Sequence, residues 1–144
     1  MSANDEPEWT AEVHFYAATV PPPLHDEYRI TLAAVGDFRL DYSPDYNKPV
    51  WTYTAPVDSE TRAAVRSVVE RVQAAPPVDR SGPQAIGGDR YSASTRMSGR
   101  WAEAPLEPAR ELWRLLGDPF GQDVWDEIRE RRQRYMDEHP HGPR

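Results

Sequence analysis

Two histidines lie beside carboxylates near the start of this chain, and that pairing is the first place to look for chemistry. His14 follows Glu12 by two positions, and His25 opens the run His25-Asp26-Glu27 after three prolines. A metal site or an acid–base pair would draw on such residues if the intervening segment folded back. The helical His-Glu-x-x-His spacing of a zinc site does not occur, however. The chain also has no Cys, which removes disulfides, thiolate nucleophiles and Cys-type zinc sites together. No metal, no cofactor and no catalytic residue is assigned.

Asp37, Asp41 and Asp45 flank aromatic residues, as carboxylates do where two of them stand across a glycosidic bond. With 24 acidic residues among 144, chance pairings are abundant, so the pattern alone names no hydrolase. Residues 88–101, GDRYSASTRMSGRW, collect hydroxyls, glycines and arginines. A phosphate-binding loop ends in Lys-Ser or Lys-Thr, whereas here Asp89 follows Gly87-Gly88 and puts negative charge where an anion would sit. The Gly-x-Ser-x-Gly elbow of a nucleophilic serine is also missing. Tyr91, Ala93, Thr95 and Met97 instead alternate with Ser92, Ser94 and Arg96, which predicts a strand ending at Gly99. The open question is whether Arg90, Arg96 and Arg100 pair with the acidic first half or face a partner.

The most suggestive group is aromatic. Tyr42, Tyr46, Trp51 and Tyr53 fall within 12 residues, around an acidic, proline-bearing loop. Tyr and Trp combine large contact area with a polar tip and concentrate at interaction hot spots. Tyr42 continues the face of Phe38 and Leu40, and Trp51 shares a face with Tyr53, as a core would also require. Tyr46 has no such explanation. The expected interaction set is Tyr46, Trp51, Tyr53, Asp41 and Asp45, as a surface or as an aromatic and acidic pocket.

The elements that must position these residues follow from periodicity. Residues 9–17, WTAEVHFYA, alternate as a half-buried strand. YRITLAAVGDFRLDY predicts a hairpin turning at Gly36-Asp37, and VWTYTAPV adds a short strand. Asp58 or Ser59 caps a helix over about 60–74 whose Val65, Val68, Val69 and Val72 form one stripe. Two helices follow. Gly117 is read as the C-cap of the first, and Asp118-Pro119 as the start of the second. Arg129, Arg131, Arg132 and Arg134 are read as lying near the end of that last helix, interleaved with acids as ion pairs and not as a nucleic-acid face. The reading is an α+β domain over residues 1–138, with an antiparallel sheet of four to five strands packed on helices, two of them C-terminal. Residues 139–144 are read as a flexible tail.

Charge separates the halves. Residues 1–60 hold 11 acidic against three basic side chains, and residues 61–144 hold 13 against 14. The net charge of -7 disfavours nucleic acid and anionic membrane and favours a basic partner protein. MSANDEPEW does not read as a signal peptide, and no apolar run is long enough to span a bilayer, so a cytoplasmic location is expected. The leading expectation is a small acidic protein-binding domain, of which an inhibitor or immunity-like factor is one form. The alternatives are a small-molecule binder or minor hydrolase with an aromatic and acidic pocket, and a structural homo-oligomer joined through residues 120–136.

Overall fold

The computed structural model describes residues 8–17, 27–44, 50–76 and 89–138. The predicted tail at 139–144 lies outside them. Alternation in β1 (Trp9–Ala17) sends Trp9, Ala11, Val13 and Phe15 to one side of a sheet and Glu12 and His14 to the other. The chain then meanders through β2 (Glu27–Ala33), β3 (Phe38–Ser43) and β4 (Trp51–Ala55), each antiparallel to the last. After helix α1 (Ser59–Ala74), β5 (Asp89–Met97) returns to the unused side of β1, and β6 (Arg100–Glu103) folds back on β5. Helices α2 (Leu106–Gly117) and α3 (Gln122–Glu138) complete the order. The strands stand as β4-β3-β2-β1-β5-β6, an α+β fold with a six-stranded antiparallel sheet packed against three helices, two of them C-terminal.

The strand beyond the expected four to five is β6, hidden by reading Gly99 as an end. Ser98 and Gly99 both have positive φ, 51° and 80°, as a two-residue type I′ hairpin turn requires. The chain therefore reverses there, and Arg100–Glu103 pairs with β5.

One face of the sheet carries the core. Val65, Val68, Val69 and Val72 of α1 and Leu112 and Leu116 of α2 are buried over Ala11, Val13, Ile30 and Leu32. Small residues on the central strands, Ala11 and Ala93, leave room for the helices to approach. Thr95 is buried among them without an unmet polar group. Its hydroxyl receives the Gln73 amide at 3.1 Å and donates to the Ala102 carbonyl at 3.3 Å.

Asp58 is the cap of α1, its carboxylate accepting the Thr61 amide at 2.6 Å. Hydrogen bonds from the Thr61 amide and hydroxyl hold that carboxyl below its ordinary value. One turn on, Arg62 donates to the carbonyls of Ala33 and Gly36 at 2.7 and 2.6 Å. Gly36 has φ 95°, and this guanidinium satisfies two backbone acceptors of the β2–β3 turn from a helix 26 residues away.

Three expectations about the C-terminal helices are corrected. Gly117 is the last residue of α2 with Asp118 as its C-cap at φ -57°, so no left-handed glycine ends the helix. Asp118-Pro119 does not open α3. Phe120 inserts under Phe38, with ring centroids 6.4 Å apart, and α3 starts only after Gly121, whose carbonyl accepts the Val124 amide. Burial of Phe120 outweighs the local capping signal. Finally, α3 runs to Glu138 with no basic residue in its last turn, so its arginines lie mid-helix and not beside the C-terminal dipole.

Replacing Leu112, fully buried in α2, by Ala is expected to cost about 2–5 kcal/mol through lost transfer energy and an unfilled cavity. Urea unfolding with an unchanged m-value measures it. Asp58→Ala is expected to lower Tm by a few degrees at neutral pH. Because the folded state depresses this pKa, the contribution exists above the ordinary value of 3.8 and is lost as pH falls through the depressed one. Melts of both proteins should therefore converge in strong acid. A gap that persists there would show that the cap acts without its charge.

Candidate functional site

The helices cover one face of the sheet, and the other face carries the polar half of every alternating strand. Register places Thr52, Asp41, Arg29, His14 and Ser92 in one row across five strands. A second row runs Thr54, Arg39, Thr31, Glu12, Ser94 and Glu103 across all six. Diagonal pairs tie the rows to each other and to Glu27 beside them. Arg29 Nε lies 3.1 Å from Glu12, and His14 Nε2 lies 2.9 Å from Glu27. Arg39 Nε donates to both Asp41 oxygens at 3.0 and 3.1 Å, and Thr52 adds a hydroxyl donor at 2.7 Å. The side chains of Glu12, Glu27 and Asp41 are only 22, 19 and 26% exposed, so their neighbours hold them in place.

Among these groups a serine, a histidine and a glutamate stand in sequence, with Ser92 opposite His14 and His14 bonded to Glu27. The sequence groups His14 and Glu12 with His25, Asp26 and Glu27; the sheet gives His14 to Glu27 and Glu12 to Arg29, and His25 and Asp26 lie outside the described residues. Only the β1–β2 register carries that information. Acyl transfer at such a row would also need donors for an oxyanion. β1 pairs on both sides, so its amides are engaged in the ladder. What the row supplies is an ordered, hydrogen-bonding surface. A concavity of about 250 Å³ lies at its β2–β3 end, between His14, Glu27, Arg29, Arg39, Asp41 and Val50. Pockets that bury a small ligand usually hold about 300–1,000 Å³. No group of three or more metal-ligating side chains occurs among the described residues.

The expected interaction set is divided by the sheet itself. Tyr46 and Asp45 lie outside the described residues. Trp51 and Tyr53 share the helix-facing side, as read, but Trp51 is 9% exposed and stacks on Tyr42 at 5.7 Å. Tyr135 meets it edge-on at 6.4 Å, and the Arg131 guanidinium lies 4.6 Å from its ring centroid. Arg131 also donates to the Tyr53 hydroxyl at 3.1 Å. Trp51 is therefore packed in the core, and strand alternation puts Asp41 on the side of the sheet opposite Trp51 and Tyr53. These three cannot line one pocket.

The apolar stripe of residues 120–136, read as an oligomer contact, packs on the chain's own sheet. Val124, Trp125, Ile128 and Tyr135 all join the core, and Trp125 meets Tyr28 with ring centroids 5.0 Å apart. Of the arginines in question, Arg96 lies 5.8 Å from the ring of Trp101, itself 55% exposed on β6. Arg100 reaches the Gln73 carbonyl at 3.4 Å. Neither contact is with the acidic first half, and the Arg90 side chain lies outside the described residues.

Arg131→Met keeps the aliphatic stem over Trp51 but removes the cation and the bond to Tyr53. A loss of about 1–2 kcal/mol is expected, with faster hydrogen exchange concentrated in α3. Uniform exchange across sheet and helix would show that Arg131 does not hold α3 in particular. Comparison with protein-family models, with curated proteins and with solved structures finds no match to any of them.

Proposed function

We propose that this chain is a small acidic protein-binding module whose contact surface is the face of its sheet that no described helix covers. The observation that supports this most is the one-sided layering, which leaves an ordered array of ion pairs and hydroxyls on six strands facing outward. Strands about 4.8 Å apart and rising about 3.4 Å per residue make that face on the order of 500–700 Å². A standard protein interface buries about 800 Å² per partner. The area suits a protein surface better than a small molecule, and the modest concavity points the same way.

Charge sets the class of partner. The net charge of -7 steers a basic protein towards the domain, while fixed rows of Glu12, Arg29, Arg39 and Asp41 favour one docking register over its neighbours. Trp101 and Thr54 are exposed at the margins. An inhibitor or immunity-like factor, which acts by covering a partner's surface, is the form of function this arrangement serves.

Ser94 stands between Glu12 and Glu103 in register, so Ser94→Arg is accommodated by the fold yet adds bulk and positive charge to the face. Glu130→Arg alters an exposed position of α3 instead. The expected result is a basic protein retained from native lysate by the wild type and by Glu130→Arg, with recovery by Ser94→Arg reduced about tenfold or more. Equal recovery by all three moves the interface off this face.

A further inference from the structure

The two edges of the sheet are built differently. β6, at one end, has the sequence RWAE, with a charged residue at each end of the strand. Charged side chains are among the devices by which sheets blunt an edge. β4, at the other end, has the sequence WTYTA, with no charge over its five residues, and it is flanked by prolines, Pro49 and Pro56. Each of Trp51, Thr52, Tyr53 and Thr54 is of a type that favours strands. An edge strand directs the amide and carbonyl of alternate residues away from its neighbour, and among the described residues no strand pairs with those of β4.

We propose that β4 pairs with β4 of a second copy of this chain, antiparallel about a twofold axis through Tyr53, joining the two sheets into one. The strand is complementary to itself in that register. Thr52 stands opposite the second copy's Thr54, a favourable cross-strand pair on the exposed face. Tyr53 meets Tyr53, and on the helix-facing side the large Trp51 meets the small Ala55. No like charges are brought together along the strand, although the chain as a whole is acidic. A second copy therefore fits where β6, with Arg100 and Glu103, presents charges to an incoming strand. The contact is isologous and closes as a dimer, and it leaves the polar face of both sheets on one side.

A five-residue ladder buries less than the roughly 1,200 Å² of a stable interface, so association is expected between about 10 µM and 1 mM. Sedimentation equilibrium across that range tests it on the full chain. The wild-type mass should rise from one chain towards two. Thr52→Lys with Thr54→Lys sets lysines opposite lysines across the axis and should stay monomeric. Thr52→Lys with Thr54→Glu sets lysine opposite glutamate and should restore the dimer. Within each chain that second pair also sits beside Asp41 and Arg39 respectively, which favours the fold. Circular dichroism confirms that the variants are folded. A wild-type monomer throughout the range overturns the proposal and leaves the edge to a strand of some other protein. A dimer that survives the double lysine variant, or a lysine–glutamate variant that stays monomeric, overturns the edge or its register.

Discussion

The register of β1 against its two neighbours is the constraint on which the rest of the structure depends. Side chains on a strand alternate with period two, so a slip of one residue exchanges the two faces completely. In β1 that exchange would turn Ala11 and Val13 to water and drive Glu12 and His14 under the helices. The same pairing sets Arg29 against Glu12 and Glu27 against His14 on the polar side. Core packing and surface pairing are thus two readings of one register, and each opposes any alternative to the other. Exposed ion pairs add little stability individually. Their larger effect here is to make the wrong alignment costly.

Aromatic side chains span the wider gap between α3 and the sheet. Trp125 reaches Tyr28, Tyr135 reaches Trp51, and Arg131 lies over Trp51 with a hydrogen bond to Tyr53. A helix with several mid-helix arginines suggests a solvated surface from composition alone. One of those arginines instead bridges helix and sheet, using a planar cation against an aromatic face in a way lysine would not reproduce. Of the aromatic group that invites an interface reading, Trp51 and Tyr53 are engaged in attaching the last helix.

Legibility follows the range of the forces involved. The strands at 9–17, 38–42 and 91–97, the valine stripe of α1 and its Asp58 cap are local patterns, and each appears where alternation or helical spacing places it. The assignment of Trp51 and Tyr53 to one face is legible for the same reason. The direction of that face is not, because Trp51 alternates equally well inward or outward until α3 is placed over it. Gly117 and Asp118-Pro119 carry sound local signals that lose to Phe120, whose burial beneath Phe38 delays the start of α3. Ser98-Gly99 is a local signal of the opposite kind, a hairpin turn easily taken for a terminus. The set of Ser92, His14 and Glu27 joins three strands and exists only once their register is known.

The position of β1 also orders events in time. Its pairing with β2 needs only the next stretch of chain, but its pairing with β5 waits for residues 89–97. A chain made from its N-terminus therefore carries the meander of β1 to β4 and all of α1 before the sheet's central strand has its second neighbour. Until then β1 is an edge, with the amides of alternate residues open along its nine-residue length and an apolar side holding Val13 and Phe15. The centre of the finished sheet is the part that synthesis completes late. From the pairing of β2 until residues 89–97 arrive, β1 is open to pairing with another chain.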